Sequence, residues 1–526
     1  MGNVTLTEQT PRWIHGLNRQ LIAPRRTSAV FLATLYLCAM ASLACGQEKS
    51  EIHDLRHGRR QLFLDDDIVA TTSHVTKVQG QVVKHPDNPI IRRDKPWDRG
   101  RADLYGSAVY DPERERIQLF YSANNFFKGH EDRLAYAESH DEGLTWNKPE
   151  FDLISFGEHK KTNLVMLPPA RVFAGPCVFR DEHEPDSAKR YKMFTSSYPD
   201  TAYLGIPRIY EHRGQFLFGI KDAVLPDDCG KPGMYVAYSP DGIHWNEPAK
   251  WFSGMMSDTT QSAFWDSRLK RYVAYVRART ANDRSVARME SLDFETWSEP
   301  KVVLEGSPTK SLYSLGVTPY QGIYVGTLWI FDPVSESQNG PVIWPELAVS
   351  RDGISWTRPF EGEMFIPTGP DGSSDSRQVR MSASLVVRDK KIIMLYGQTD
   401  RPHTSVDMRI DIGMAYLRLD GFAAMTAGEQ QEGLILTKPL RFGSGRLYVN
   451  ADVHPGGYLK AELTDRNGNA LSGYELTSSK GMTGDNLRAP MLWQEKDEIS
   501  MNPDEAVQIR FVLKNAEFYS FWVQAE

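Results

Sequence analysis

Cysteine is nearly missing from this chain: 526 residues contain four, and two of them, Cys38 and Cys45, fall in an apolar stretch at the amino terminus. A chain this long buries enough surface to fold without disulfide or metal staples. With no Cys-x-x-Cys and no His-Glu-x-x-His run, a zinc site has no support. No metal or cofactor is expected, and nothing in the sequence supports a structural calcium. The remaining pair, Cys177 and Cys229, either forms one disulfide in an oxidising compartment or stands as two half-buried thiols. A basic excess is missing too. Lys plus Arg number 61 against 68 Asp plus Glu, a net charge of −7, which excludes nucleic acid as the expected partner. After residue 44 no second apolar run reaches the roughly 20 residues of a bilayer span.

What the sequence does have is aromatic residues and turn formers: 12 Trp, 22 Tyr, 23 Phe, 40 Gly and 31 Pro, the composition of many short strands. At the amino terminus, Arg12, Arg19, Arg25 and Arg26 precede the uncharged stretch Ala29 to Ala44, which ends in small residues. That is the layout of a secretory signal peptide, placed at 1–46 with cleavage after Ala44 or Gly46. Lipidation at Cys45 is the alternative, although Ser42 stands where such signals usually have Leu. The protein is expected to be secreted, periplasmic or in the cell envelope, and monomeric.

Internal similarity organises the rest. Four segments share one pattern: Ser139 to Trp146, Ser239 to Trp245, Ser291 to Trp297 and Ser350 to Trp356, each with Asp two residues after the Ser. Each follows a strand-like run and precedes another, so the Asp makes a hairpin turn and the Trp packs between neighbouring sheets. Before each comes a second hairpin, with turns at Asp111, Asp181, Asp266, Tyr320 to Gly322 and, in a fifth copy, Asp389. That copy ends in Asp420-Gly421-Phe422 where the others have their Trp turn. Two hairpins per unit and five units predict an all-β fold: a five-bladed β-propeller over 47–429 and a β-sandwich over 430–526. The arm from Gln61 to Val83 either closes the ring against the last blade or packs beneath it, and Pro199 to Gly233 is a long insertion.

This layout resembles the five-bladed glycoside hydrolases of the family 32 and family 43 superfamily. Arg180-Asp181 is similar to that family's Arg-Asp-Pro motif, while its Asn-Asp-Pro-Asn and Glu-Cys motifs have no counterpart. Asp181 also aligns with the turn residues Asp111, Asp266 and Asp389. The Ser-x-Asp-x-Gly-x-Thr-Trp segments resemble the Asp-boxes of sialidases, which are structural turns. Sialidases have six blades, and an arginine triad would here be Arg171, Arg279 and Arg380.

A propeller binds its ligand at the mouth of its channel, where innermost strands begin, second strands end and third strands begin. Sorted this way, Asp103, Arg171, Asp258, Lys310 and Arg380 open innermost strands. Asn124, Arg277, Arg279, Asp332 and His403 end second strands, and Arg133 and Glu346 lie near third-strand starts. Glycosidic cleavage needs one carboxyl to protonate the leaving oxygen and one to act as base or nucleophile. Asp103 is expected as base or nucleophile, a role the resemblance also places on the first inner strand, Asp258 as orienting group and Glu346 as acid, with Asp332 as alternate acid. Tyr105, Trp329 and Trp344 would stack on sugar rings, and Asn124, Gln261, Arg171, Arg279 and Arg380 would bind hydroxyls. The expected function is an exported glycoside hydrolase acting on a poly- or oligosaccharide. The alternatives are a non-catalytic carbohydrate-binding propeller and a sialidase-like exo-glycosidase.

Overall fold

Turn chemistry is where the repeat becomes structure. In the computed structural model, residues 52–525 are described except 125–131, 171, 199–208, 213–214, 219–229, 247–248, 281–282, 308, 334–339, 404 and 406; for 124, 209–212, 215–218 and 283 the backbone alone is described. The expected leader lies outside these residues. In three of the repeated segments the Ser hydroxyl accepts from the backbone three or four residues on (Gly143 and Gly353, both 2.8 Å; Gly242, 2.9 Å), in the third copy Ser291 Oγ accepts from Asp293 N at 3.3 Å, and the Asp carboxylate accepts from the residues beyond (Thr145, 2.9 Å; Ser355, 2.7 Å). The loop so formed needs a left-handed residue, supplied by Gly143, Gly242 and Gly353 and, in the third copy, by Phe294 at φ 67°.

The tryptophans then leave their own sheet. Trp245 meets Phe120, Trp297 meets Phe194 and Trp356 meets Tyr275, with ring centroids 6.4, 4.8 and 5.6 Å apart. In the last copy Phe422 meets Tyr320 at 5.6 Å. Each aromatic thus packs on the sheet before its own, as the spacing of the repeat implies.

The chain is all-β, with two short 3-10 turns, Pro96–Asp98 and Ser187–Lys189, among the described residues. The first antiparallel group is Arg101–Asp111, Arg116–Asn124, Asp132–Ser139 and Leu164–Met166. The second is Val172–Arg180, Tyr191–Tyr198, Gly233–Ser239 and Lys250–Ser253, and the third is Ser262–Asp266, Arg271–Thr280, Asp283–Ser291 and Lys301–Leu304. Within the expected insertion, Ile209–His212 and Gln215–Phe218 form a hairpin that reaches the third group through Phe216 opposite Arg279. The fourth group, Ser311–Tyr320, Ile323–Asp332 and Val342–Ser350, and the fifth, Gln378–Met381, Val386–Val387, Lys391–Thr399 and Asp411–Arg418, are joined into one sheet by a parallel pairing of Ile343 with Gln378. Val83–Lys84 of the arm pairs with Tyr416 and Ala415, adding an outer strand to the fifth group.

The innermost strands follow one another in a closed circuit. A strand at an inner edge exposes unpaired N–H groups, and here short polar side chains of the neighbouring strand satisfy them. Val178 N donates to Ser107 Oγ (2.6 Å), Ala263 N to Cys177 Sγ (3.3 Å), Val317 N to Ser262 Oγ (3.0 Å), Leu385 N to Thr318 Oγ1 (2.9 Å), and Ala108 N to Ser382 Oγ (3.1 Å). Only small side chains fit where five strands converge. Cys177 fills one such place, buried and unpaired; Cys229 lies outside the described residues.

Five strands from residues 423–525 and three from residues 61–79 build an eight-stranded network around the long pair Arg446–Thr464 and Gln508–Gln524, with Phe63, Trp493, Phe511, Phe518 and Phe521 in its core. Its strands include Gln61–Leu62, Val69–Ser73, Thr76–Gln79 and Ala423–Ala427. Hydrogen bonding therefore runs across the expected 429/430 boundary. No helix among the described residues is long and apolar enough to cross a membrane.

Candidate active site

Asp103 lies near the start of the first inner strand, just before a bulge between Asp103 and Ser107. The bulge is possible because residue 106 is Gly: a Cβ there would stand 1.9 Å from the Phe120 carbonyl oxygen. Such an irregularity re-aims the side chains beside it. Asp103 is 1% exposed; its Oδ2 accepts from Arg380 Nη1 at 2.9 Å, with Arg101 4.0 Å away. Its Oδ1 is buried with no hydrogen-bond partner among the described residues, so one acceptor of this carboxyl stands unused.

Two further carboxyls face it. Asp258 stands in the loop before Ser262–Asp266; its Oδ1 accepts from Tyr198 Oη at 2.8 Å, and its Oδ2 is 3.9 Å from Arg277. Asp132 opens the first group's third strand, opposite Asn124. Burial pushes its carboxyl up to about 7; the charges of Asp103 and Asp258 add to this and Arg101 opposes it.

Tyrosines and a histidine line the other side. Tyr105 Oη donates to Tyr313 Oη at 2.8 Å, and Tyr313 Oη lies 2.9 Å from His403 Nε2. Burial, then Arg380, Arg284, Arg277 and Arg101, push His403 down to about 3. Its ring is therefore neutral at ordinary pH and shares a hydrogen bond with Tyr313 through Nε2. Arg277 stacks 4.3 Å above Tyr313 and donates to that residue's own carbonyl at 2.9 Å. Trp329, fully buried, backs both tyrosines at 5.8 and 6.0 Å.

Of the expected residues, Asp103, Asp258, Tyr105 and Arg380 come together. Glu346 does not join them. It pairs with Val342–Ser350's neighbour Leu328, four positions in from Val342, which faces the strand end Asp332. That is roughly 13 Å along a strand. There it is fully buried against Arg358, whose Nε donates to it at 3.0 Å. Trp344 is not a loop platform either: it sits on the same strand, 5% exposed, in the core with Ile330 and Leu328. Gln261 is buried, and its amide donates to the carbonyls of Ser257 and Thr259 at 2.8 and 2.7 Å, so it braces the Asp258 loop. Arg279 and Asp332 lie at the mouth end of their strands. Asn124 ends its strand, with its side chain outside the described residues, as is Arg171. Asp181 is a turn residue, held by Tyr272 Oη at 2.7 Å and Lys192 at 3.1 Å.

Asp132, Tyr198, Arg284 and Tyr313 were not among the expected residues. The rule that picked Arg133 for its place at a third-strand start applies equally to Asp132 and to Arg284. Among the described residues no three His, Cys, Asp or Glu side chains are gathered closely enough to hold a metal ion.

No protein-family model and no curated protein matches the chain. Solved structures do resemble it. One, from the GH130 family of mannoside phosphorylases, which contains glycoside hydrolases that target β-1,2-mannosidic linkages in Candida mannan, is 16% identical over 64% of this chain and 94% of its own, with a TM-score of 0.41. An N-acetylgalactosamine deacetylase from F. plautii, in complex with blood group B trisaccharide, is 15% identical over 69% and 95%, with a TM-score of 0.38. The Bombyx mori GH32 β-fructofuranosidase BmSUC1 is 10% identical over 80% and 90%, also at 0.38. At these scores the likeness stands as similarity alone, and no residue role is carried over from it.

Proposed function

We propose that this chain is an exported glycoside hydrolase: a five-bladed β-propeller with a carboxy-terminal β-sandwich, freed of a leader at 1–46. The observation that carries the proposal is a pair of neighbouring carboxyls in unlike settings. Asp132 is pushed up to about 7, while Asp103 is bonded to the Arg380 guanidinium. A carboxyl that keeps its proton to near neutral pH suits the acid, and one ion-paired with a guanidinium beside it suits the base or nucleophile. Asp132 donates a proton to the leaving glycosidic oxygen; Asp103 attacks the anomeric carbon or takes the proton of the attacking water. Asp258, fixed by Tyr198, orients the sugar and favours the developing positive charge at the ring.

The test is hydrolysis of fructans, arabinans, xylans and sulfated or sialylated glycans by the wild type and by Asp103→Asn and Asp132→Asn. Each variant should lose about 10²- to 10⁴-fold; a variant that keeps wild-type turnover removes its residue from the mechanism. One observation favours a second reading, a carbohydrate-binding protein without turnover: Asp103 is 1% exposed and locked to Arg380. Tight glycan binding by a wild type that cleaves nothing would establish that reading instead.

A further inference from the structure

Three guanidinium groups gather about the hydrogen-bonded tyrosine pair. Arg277 stands 4.3 Å and Arg284 5.7 Å from the centre of the Tyr313 ring, and Arg380 stands 5.4 Å from that of Tyr105. Arg101 also faces this place, since it is one of the four arginines acting on His403. The chain as a whole is acidic, at −7, so this concentration of positive charge is local and does not follow from composition.

We propose that the sugar cleaved here carries an anionic group, a carboxylate or a sulfate, seated against Arg277, Arg284 and Arg380. The inference rests on the glycoside hydrolase reading and adds the substrate class to it. A neutral sugar asks only for hydroxyl partners, which carboxylates, amides and tyrosines supply. A guanidinium presents a planar fork of donors that matches carboxylate and sulfate oxygens two at a time. Like charges held close in a partly buried site repel, and an entering anion relieves that cost.

The arginines are not waiting for partners: Arg380 holds Asp103, Arg277 lies 3.9 Å from Asp258, and Arg284 donates to Ser311 Oγ at 3.3 Å. Four cations nonetheless face Asp103 and Asp258, with Asp132 carrying a proton up to about pH 7. Burial first and these four arginines second depress His403 to about 3.

The experiment compares matched substrates with the full chain: an aryl glucuronide against the aryl glucoside, and sulfated against desulfated oligosaccharides. The anionic member of one pair should be cleaved with a kcat/KM at least about tenfold higher, and which pair responds tells carboxylate from sulfate. Arg284→Gln should close the gap by lowering the anionic member alone, while Arg284→Lys keeps part of it. Equal use of both members, or an Arg284→Gln loss that strikes both alike, overturns the proposal and leaves the hydrolase reading standing. If no member of any pair is cleaved, the wider glycan panel judges the hydrolase reading, and calorimetry with glucuronate, a sulfated monosaccharide and glucose judges the anion seat. Tighter binding of either anion supports it, and binding of none or of glucose equally overturns it.

Discussion

Asp132 offers the sharpest test, because losing the proton that serves catalysis should also leave a charge that weakens the fold. The carboxyl is pushed from the ordinary 3.8 to about 7, first by burial and then by Asp103 and Asp258. Between about pH 4 and pH 7 the native group keeps a proton that the unfolded one has lost. The native state therefore binds more protons there, and stability falls as pH climbs through that window. At about 1.4 kcal/mol per pH unit, the ionised carboxylate costs up to about 4 kcal/mol above pH 7, less whatever solvent at this partly buried position recovers. Asp132→Asn removes the charge and nearly keeps the shape. Chemical denaturation at pH 8 should show the variant more stable than wild type by about 1–4 kcal/mol, with the gain gone near pH 4, while hydrolysis is lost. In wild type, kcat/KM should fall as pH rises through about 7, where the acid loses its proton. A variant destabilised equally at pH 4 and pH 8, or a wild-type profile flat from pH 6 to 8.5, would refute the reasoning.

Three further predictions follow from the packing. Arg358→Ala leaves Glu346 charged and buried without its cation, and should cost about 3–5 kcal/mol in a denaturation experiment, with activity per folded molecule unchanged; an effect on kcat would return Glu346 to the site. Phe294→Gly relieves a left-handed backbone worth roughly 1 kcal/mol but empties a fully buried aromatic place worth about 3–5 kcal/mol. The net should be a loss of about 2–4 kcal/mol, and a stabilised variant would mean that strain outweighs packing. Burial pushes the Cys177 thiol up to about 12, so a Cys229→Ser variant lacking the leader should take up no thiol reagent at pH 8 until it is unfolded.

Much of the architecture is written in local chemistry. Ser with Asp two residues on and a Trp shortly after close a turn through bonds spanning five residues or fewer, so each copy of Ser139 to Trp146 announces itself without knowledge of the fold. The Asp111 and Asp266 turns work the same way, each carboxylate accepting from the N–H two residues on. Strand ends and starts follow from these turns, and so does the location of Asp103, Asp258 and Arg380. The depth of a residue along its strand does not follow: Glu346 reads as a third-strand start because Pro341 and Pro345 mark Trp344 as a loop residue just before it. Register against Leu328 put it four positions inside instead.

The sequence by itself determined that the chain is all-β, where its hairpins turn, and which aromatics would bridge neighbouring sheets, because period-two strands and Asp-Gly turns depend on residues near in the chain. Only the tertiary structure decided which carboxyls meet. Asp103 and Asp132 come from two strands of the first group and Asp258 from the loop before the third, Arg380 and His403 from the fifth group and its loop far along the chain, and their convergence depends on strand register and on the bulge at Gly106. The same holds for charge: Asp132 and His403 are ordinary residues in the sequence. Burial and the neighbours that folding brings to them push one up to about 7 and the other down to about 3.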